Sequence, residues 1–173
     1  MTSLVTEHHE VVTKAGQRCV MGPLTDPAAG PLFGIFADVV ANGEGYPQRP
    51  PLTRDDFNAT WVHPVTMVVG ASVDDQLAGA YYLRPNFPGR AAHIANAGYV
   101  VRSSKRGQGI GRALVEDSLW RAPLLGFDAI IFNLVFESNV ARSLYEELGW
   151  REVGTLPDAV EGEDALIYWR RVG

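Results

Sequence analysis

The chain has 173 residues, 46% of them hydrophobic, and a formal net charge of −5 at pH 7. This length suits one domain, residues 1–173, with a full hydrophobic core, and the composition excludes a disordered chain. The acidic balance argues against nucleic-acid binding, which needs a basic face. No apolar run has the length of a membrane span or the pattern of a signal peptide, so we expect a cytoplasmic protein.

Hydrophobic periodicity predicts a mixed α/β order before the glycine-rich segment. A strand is expected over residues 10–22 and a helix over residues 27–41, followed by a loop rich in proline and glycine over residues 42–51. A short helix begins at the capping residue Thr53, and three strands follow, over residues 66–73, 76–83 and 93–101.

The glycine-rich segment directly follows the strand over residues 93–101 and opens into a helix over residues 112–125. Glycines allow positive φ and a close approach to a ligand, and the first N–H groups of a helix bind anions. Arg106 and Arg112 add positive charge suited to phosphate. The segment therefore predicts a phosphate or pyrophosphate site, with a tight packing turn as the alternative.

The spacing decides between phosphate ligands. A dinucleotide fingerprint needs a third glycine where Arg112 stands, and no Gly-Lys-Ser/Thr triplet marks a P-loop. What remains is Arg-x-x-Gly-x-Gly, formed by Arg106, Gly109 and Gly111. This motif resembles the pyrophosphate loop of the GCN5-related N-acetyltransferases (GNATs), which bind acetyl-CoA.

A second motif follows a buried strand predicted over residues 129–136. It reads Asn-x-x-Ala-x-x-Leu-Tyr-x-x-x-Gly-aromatic from Asn139 to Trp150, with a helix cap expected at Ser138 or Asn139 and a helix end at Gly149. It resembles the second GNAT signature. Two closing strands are expected over residues 152–156 and 165–172. The resemblance implies an α/β GNAT fold with a mixed central sheet, splayed between its fourth and fifth strands, and helices on both faces.

The same resemblance implies where acetyl-CoA binds. Backbone groups around Tyr99 and Val101 are expected to pair with the pantetheine arm as an added strand would. Tyr145 is expected near the leaving thiolate, where a phenol is a suitable proton donor; a purely structural core role is the alternative. The expected cofactor-binding residues are Tyr99, Val100, Val101, Arg106, Gly107, Gln108, Gly109, Ile110, Gly111, Arg112, Asn139 and Tyr145.

Two asparagines stand inside predicted strands, where asparagine is disfavoured. Asn96 and Asn133 are expected to face the gap between the splayed strands and contribute to catalysis and substrate binding; satisfying loose backbone groups at a bulge is the alternative. With Asn139 and the segment Gly45-Tyr46-Pro47-Gln48, they resemble the fungal N-acetyltransferases that detoxify L-azetidine-2-carboxylate and related proline analogues. Glu44 and Tyr46 are further substrate-binding candidates.

These resemblances imply acetyl transfer from acetyl-CoA to a small amine by direct attack in a ternary complex, with a proline analogue as the leading acceptor. The candidate general bases are Glu44, Tyr46, His93 and a water held by Asn96, and the alternative is a secondary amine that arrives as its minor neutral form with no dedicated base. The alternatives are another acceptor (an antibiotic, polyamine or protein amine), a non-catalytic acyl-CoA sensor, and a nicotinamide oxidoreductase, which Arg112 disfavours. No metal is expected, even at Glu7-His8-His9-Glu10, nor a nucleic-acid or membrane partner. A homodimer is expected by analogy with relatives.

Overall fold

The computed structural model describes residues 2–63 and 65–173, which form one mixed sheet with helices on both of its faces. The helices are α1 (Thr2–Thr6), α2 (Leu32–Ala41), α3 (Arg54–Trp61), α4 (Ile110–Leu124) and α5 (Arg142–Glu147). The strands are β1 (His9–Val12), β2 (Arg18–Pro23), β3 (Met67–Val73), β4 (Gln76–Pro85), β5 (Ile94–Val101), β6 (Ala129–Phe136), β7 (Arg151–Val160) and β8 (Glu163–Arg171).

The strand order in the sheet is β1-β2-β3-β4-β5-β6-β8-β7. Neighbouring strands are antiparallel except β5 and β6, which are parallel and joined through α4. A parallel pair needs such a crossover, because the chain must return to the starting edge before the second strand begins. The fold is therefore the mixed, open α/β sheet that the sequence predicts.

Alternating side chains of β4 and β5 build two apolar cores, one on each face of the sheet. Tyr82 and Val100 pack with α2 and α3, whereas Tyr81 and Leu83 belong to the core that includes Leu114 of α4. The two faces are called here the α2/α3 face and the α4/α5 face. This division decides which side chains reach the site from each side.

A buried ion pair on α4 anchors the N-terminal segment. Arg121 is fully buried; its Nε donates to Asp117 Oδ2 over 2.9 Å, and its two Nη atoms donate to the carbonyl oxygens of Val5 and Glu7. Tyr81 also donates to Asp117 Oδ2, over 2.6 Å. A buried charge is tolerated when it is paired and its donors are satisfied, as these are.

Several predicted boundaries are wrong, each for a local reason. The strand expected over residues 10–22 is a hairpin of β1 and β2, because Gly16 adopts φ +80° in a turn closed by a Thr13 N–H···O=C Gln17 bond. The expected helix over residues 27–41 begins only at Leu32, since Asp26 accepts from the Ala28 N–H in a separate turn. The extra strand makes the splayed pair the fifth and sixth strands of the chain.

The remaining differences concern the ends of the chain. Helix α1 was not expected from the sequence, and β7 and β8 form a longer hairpin than predicted. Within the part of the chain that the structure describes, no helix has the length and apolarity needed to cross a bilayer.

Candidate active site

The site begins where β5 and β6 separate. Their parallel pairing covers three positions and ends at Asn96 opposite Ile131. Here the Asn96 side chain replaces the next backbone hydrogen bond of the ladder, because its Nδ2 donates to the Ile131 carbonyl over 3.0 Å. Its Oδ1 accepts from the Tyr82 hydroxyl at 3.2 Å. Asn96 therefore satisfies a strand carbonyl at the divergence, the alternative that the sequence left open, while it also lines the gap.

Beyond Asn96, the gap exposes one backbone edge of β5. The Arg102 N–H donates to Ala78 and the Asn86 N–H to Ile94, so even-numbered positions of β5 bond with β4. Ala97, Tyr99 and Val101 consequently direct their backbone groups toward the gap. An unpaired strand edge of this kind can pair with an extended ligand. The Tyr99 carbonyl already accepts from the Tyr46 hydroxyl at 3.2 Å.

A cleft of about 700 Å³ occupies the gap and continues to the start of α4. Gly107 and Gly109 adopt left-handed φ of +74° and +80°, which turns the chain into the helix. Ala113 N–H bonds to the Gly109 carbonyl, so the N–H groups of the preceding three residues have no intrahelical acceptor. The loop thus has the form of the anion site that the sequence predicts.

Thr13, in the turn between β1 and β2, supports this loop from behind. Its hydroxyl donates to the Gln108 carbonyl over 2.6 Å, and a Cβ at Gly109 would lie 2.9 Å from the Thr13 Cβ. Gly109 is therefore fixed both by its φ and by packing. Sequence reasoning missed Thr13, because nothing in its local pattern indicates a partner 95 residues away.

The two arginines expected at the phosphate have different surroundings. Arg106 lines the cleft and forms an ion pair with Glu44, with 2.5 Å between Nη2 and Oε2. Arg112 points away from the cleft lining and pairs with Glu147 of α5 and, at 3.5 Å, with Glu116. Of the two side chains, Arg106 is the one placed to meet a ligand in the cleft, and a ligand phosphate there would compete with Glu44.

Tyr145 reaches the cleft from the α4/α5 face. It lies in α5 and is 8% exposed, with its ring 4.7 Å from Phe132 and 5.9 Å from Trp150, centroid to centroid. Burial raises the pKa of Tyr145 above its usual range, so the phenol stays protonated at neutral pH. The residue thus contributes to the core and also borders the cleft, where a protonated hydroxyl can donate to a ligand.

Asn139 precedes α5 but is not its capping residue. The helix begins at Arg142 after an N-cap at Ala141, and Asn139 Oδ1 accepts from the Ala141 N–H over 2.8 Å in a preceding turn. Its Nδ2 lies 3.5 Å from the position of a Cβ at Gly45. Gly149 ends α5 with φ +88°, as predicted. Asn139 therefore borders the cleft opposite the segment 43–48.

On the α2/α3 face, the cleft is lined around Asn96 by Tyr46, Gly98 and Tyr82. Tyr46 packs directly on Gly98, since a Cβ there would lie 2.6 Å from the Tyr46 hydroxyl oxygen. Burial raises the pKa of Tyr46 well above its usual range, which makes it a donor and not a base at neutral pH. Three further polar lining residues, Thr60, Tyr82 and Arg84, were not singled out by sequence reasoning, and Gln48 was named only as part of the segment 45–48.

Asn133 also lines the cleft, at its solvent-exposed side. It lies in β6 at the point where the register with β8 shifts, between Phe132 and Val135, and its Nδ2 donates to Asn86 Oδ1 over 2.5 Å. This bulge turns Asn133 toward the gap. The partner Asn86, just after β4, was not anticipated.

The candidate bases are placed unequally. His93 is exposed, contacts the Arg90 carbonyl and does not line the cleft. Glu44 lines the cleft but is engaged by Arg106. In the segment Glu7–Glu10, His9 contacts Asp117 at 3.2 Å and Glu10 pairs with Arg18. Among residues 2–63 and 65–173, no group of three or more His, Cys, Asp or Glu side chains is arranged to hold a metal ion.

Comparison with known proteins agrees with this geometry. The model of the acetyltransferase (GNAT) family matches residues 37–150. The chain belongs to the GNAT family. This segment contains the cleft, the two sequence motifs at residues 106–111 and 139–150, and α4. Family membership confirms the resemblance found in the sequence. It identifies acetyl-CoA as the cosubstrate whose fit to the residues lining the cleft has to be examined.

Individual relatives support the assignment. The N-acetyltransferase aca1 of Schizosaccharomyces pombe is 42% identical over 114 residues, which cover 61% of this chain and about half (54%) of that protein. A GCN5-related N-acetyltransferase from Kribbella flavida is 32% identical, with a TM-score of 0.79 over 88% of this chain and 97% of that chain. The match to the S. pombe protein is consistent with the resemblance to fungal N-acetyltransferases noted in the sequence.

A more distant structure shows the shared fold. A GNAT phosphinothricin acetyltransferase from Sinorhizobium meliloti, determined in complex with acetyl-CoA, is 18% identical, with a TM-score of 0.77 over 90% of this chain and 89% of that chain. The residues of this chain also fit acetyl-CoA, because a glycine turn precedes α4 and an unpaired edge of β5 runs from that turn to the divergence at Asn96.

Gly111 provides the sharpest test of the pyrophosphate loop. It has helical φ and lines the cleft, and a Cβ there meets only Val101 Cγ2, at 3.7 Å. Gly111→Ala should therefore fold but place a methyl group against the pyrophosphate. We expect the Kd for coenzyme A, measured by calorimetry, to rise roughly tenfold or more, which corresponds to one lost charge-assisted hydrogen bond.

Gly34→Ala is the matched control, because Gly34 lies within α2 and a Cβ there has no heavy atom within 4 Å. Both substitutions should raise Tm slightly through helix propensity, but only Gly111→Ala should weaken binding. Equal coenzyme A affinity in the two variants would contradict the loop assignment.

Proposed function

We propose that this GNAT chain is an acetyl-CoA-dependent N-acetyltransferase for a small amine, and that the acceptor is a proline analogue or a related small amino acid. The observation that carries the proposal is the arrangement across the gap. Tyr145 borders it from the α4/α5 face, whereas Asn96 and Tyr46 border it from the α2/α3 face. A thioester in the gap would have a proton donor on one side and a polar pocket for the amine on the other.

The acceptor class is proposed from the segment that covers this pocket. Segment 43–48 contacts both sides of the gap, through Tyr46 at Tyr99 and through Gly45 beside Asn139. This cover favours a small acceptor over a protein segment. The match to the S. pombe N-acetyltransferase aca1 supports N-acetyl transfer, and the resemblance of Asn96, Asn133 and Asn139 to the fungal proline-analogue enzymes supports an imino-acid acceptor. A cytoplasmic location, a single domain and a homodimer stay predictions from the sequence.

Acetyl-CoA supplies an activated acetyl thioester, which the acceptor amine attacks directly in the proposed reaction. The chain's own groups position it. The Gly107–Gly111 loop and Arg106 would hold the pyrophosphate, and the exposed backbone groups of Ala97 and Val101 would pair with the pantetheine. These contacts fix the thioester near Asn96, where the strands diverge.

The proposed role of Tyr145 is to stabilise the leaving sulfur by donating a hydrogen bond. In water the pKa of tyrosine, about 10, exceeds that of a thiol, about 8.5, so full proton transfer to a thiolate costs about 2 kcal/mol. Burial raises the pKa of Tyr145 and increases that cost. The Tyr145 phenol therefore acts as a hydrogen-bond donor that disperses the negative charge on the leaving sulfur and keeps its own proton. The proton released in the overall reaction comes from the acceptor amine.

The test of the proposal is release of the coenzyme A thiol from acetyl-CoA. The acceptors are L-azetidine-2-carboxylate, L-proline, spermidine, an aminoglycoside and a lysine-containing peptide. Saturable release with the first two supports the proposal. Release only with another acceptor overturns the imino-acid part alone. Tight acetyl-CoA binding with no release from any acceptor favours a non-catalytic acyl-CoA sensor.

Tyr145→Phe tests the donor role. Loss of the hydroxyl should lower kcat about tenfold to a hundredfold, near the lower end of a positioned proton donor, and leave the KM for acetyl-CoA within about twofold. The control is Tyr168→Phe, because Tyr168 belongs to the same aromatic cluster, 6.2 Å away, but bonds with Glu146 and lies outside the cleft lining. Equal kcat values in both variants would assign Tyr145 to the core.

The pH profile tests the source of the nucleophile. Glu44 is paired and Tyr46 is a donor, so we expect the acceptor to react as its neutral amine without a side-chain base. The neutral fraction increases with pH. The pH midpoint of the rise in kcat/KM should therefore depend on the amine pKa of the acceptor, and the acceptor with the higher amine pKa should give the higher midpoint. A common midpoint for two such acceptors, lost in Glu44→Gln, would identify Glu44 as the base.

A further inference from the structure

Arg84 is placed on the acceptor side of the cleft by strand register. It lies in β4 directly opposite Asn96 of β5, so the two side chains project from the same α2/α3 face as neighbours. Arg84 also lines the cleft. A positive charge therefore lies beside the point where the acceptor amine would meet the thioester.

The guanidinium of Arg84 is held in place but not neutralised. Its Nη1 donates to the Ala59 carbonyl at 3.2 Å, and its Cζ lies 4.9 Å from the Tyr82 ring centroid. Arginine has five N–H donors, so most remain available. Among the described residues that line the cleft, the other cation, Arg106, has a carboxylate partner in Glu44, whereas no carboxylate is within ion-pair distance of Arg84.

The positive charge of Arg84 acts on two tyrosines that line the pocket, Tyr46 and Tyr82. Burial raises the pKa of Tyr46 and of Tyr82, and Arg84 lowers both pKa values in part, because its positive charge favours a nearby phenolate. Both rings line the cleft. The guanidinium is thus close enough to stabilise an anion between them.

Gln48 adds an unpartnered acceptor to the same pocket. Thr60 donates its hydroxyl to the Asp56 carbonyl at 2.8 Å, so the Thr60 oxygen can only accept from Gln48, which orients Nε2 toward Thr60. Gln48 Oε1 is left buried without a hydrogen-bond partner. A buried unsatisfied acceptor is costly and is satisfied when a ligand N–H binds.

We propose that Arg84 is the carboxylate-binding residue of the acceptor pocket, so that the acceptors are amines with a carboxylate on the adjacent carbon, and that Gln48 Oε1 receives their N–H. This inference rests on the proposed function and deepens it, because it assigns a residue to the carboxylate that those acceptors carry. Arg84 contacts the part of the acceptor that does not react and is therefore a specificity-determining residue.

The experiment compares L-azetidine-2-carboxylate with azetidine, which lacks the carboxylate, in the wild-type chain and in Arg84→Gln and Arg84→Lys. The wild type should prefer L-azetidine-2-carboxylate in kcat/KM. Arg84→Gln should raise the KM for L-azetidine-2-carboxylate roughly tenfold to a hundredfold, the loss expected for a hydrogen-bonded charge pair, and leave the azetidine constants within about twofold. Arg84→Lys should recover part of the loss, because it keeps the charge without the planar fork.

Arg54→Gln is the matched control. Arg54 also lies over an aromatic ring, with Cζ 3.9 Å from the Phe33 centroid, and donates to the Ala28 carbonyl, but it does not line the cleft. It should leave the preference for the carboxylate unchanged. Equal losses with both acceptors in Arg84→Gln, or a wild type that shows no preference, would overturn the inference and leave acetyl transfer intact.

Direct binding separates this inference from the proposed function. Calorimetry of L-azetidine-2-carboxylate with the coenzyme A-saturated chain measures binding directly and needs no turnover. Binding that is lost in Arg84→Gln supports the carboxylate site even if no acceptor is acetylated, in which case only the proposed function fails. Undiminished binding in Arg84→Gln, or none in the wild type, overturns the carboxylate site.

Discussion

The early end of the parallel ladder between β5 and β6 is the constraint on which the rest of the site depends. In a continuing parallel sheet, the Ile131 carbonyl would accept from the backbone of β5. Here it accepts from the Asn96 side chain, so the strands can diverge without leaving that carbonyl unsatisfied. The divergence opens the cleft and exposes the β5 edge that a ligand can pair with. Asn96 therefore has a structural role, and its position at the point where the cleft opens follows from that role.

Segment 43–48 gives the gap its second boundary. Each of its contacts joins a different element: Glu44 meets Arg106 of the loop before α4, Gly45 approaches Asn139, and Tyr46 packs on Gly98 of β5. The Tyr46 ring packs edge to face against Phe36 of α2, with 4.8 Å between the ring centroids. The cover of the cleft is thus anchored in the α2/α3 core. Because Glu44 and a ligand phosphate would share Arg106, cofactor binding and the position of this cover are physically linked.

The parts of the fold that local chemistry determines could be predicted from the sequence. Gly107, Gly109 and Gly149 have the left-handed φ that their turns imply, and the helix after the glycine-rich loop begins within two residues of its predicted start. The strand and helix boundaries that were wrong have local causes in turns, whereas the errors at the site have long-range causes. The partners of Arg106 and Arg112 are set by tertiary packing, and spacing along the chain cannot indicate them. Arg84 was overlooked because a single arginine in a strand resembles a solvated surface charge until the register places it opposite Asn96.

The two faces of the sheet divide the chemistry of the proposed reaction between them. On the α4/α5 face, aromatic packing buries Tyr145 and raises its pKa, so this side can donate a hydrogen bond but cannot deliver a proton cheaply. On the α2/α3 face, Arg84 supplies positive charge, which favours a bound carboxylate and disfavours an ammonium group close to it. An amino acid held by its carboxylate there would lose its amine proton more readily than in water when its own negative charge is neutralised by Arg84. The pocket itself would then promote the neutral amine that direct attack requires, so the proposed reaction would need no dedicated side-chain base.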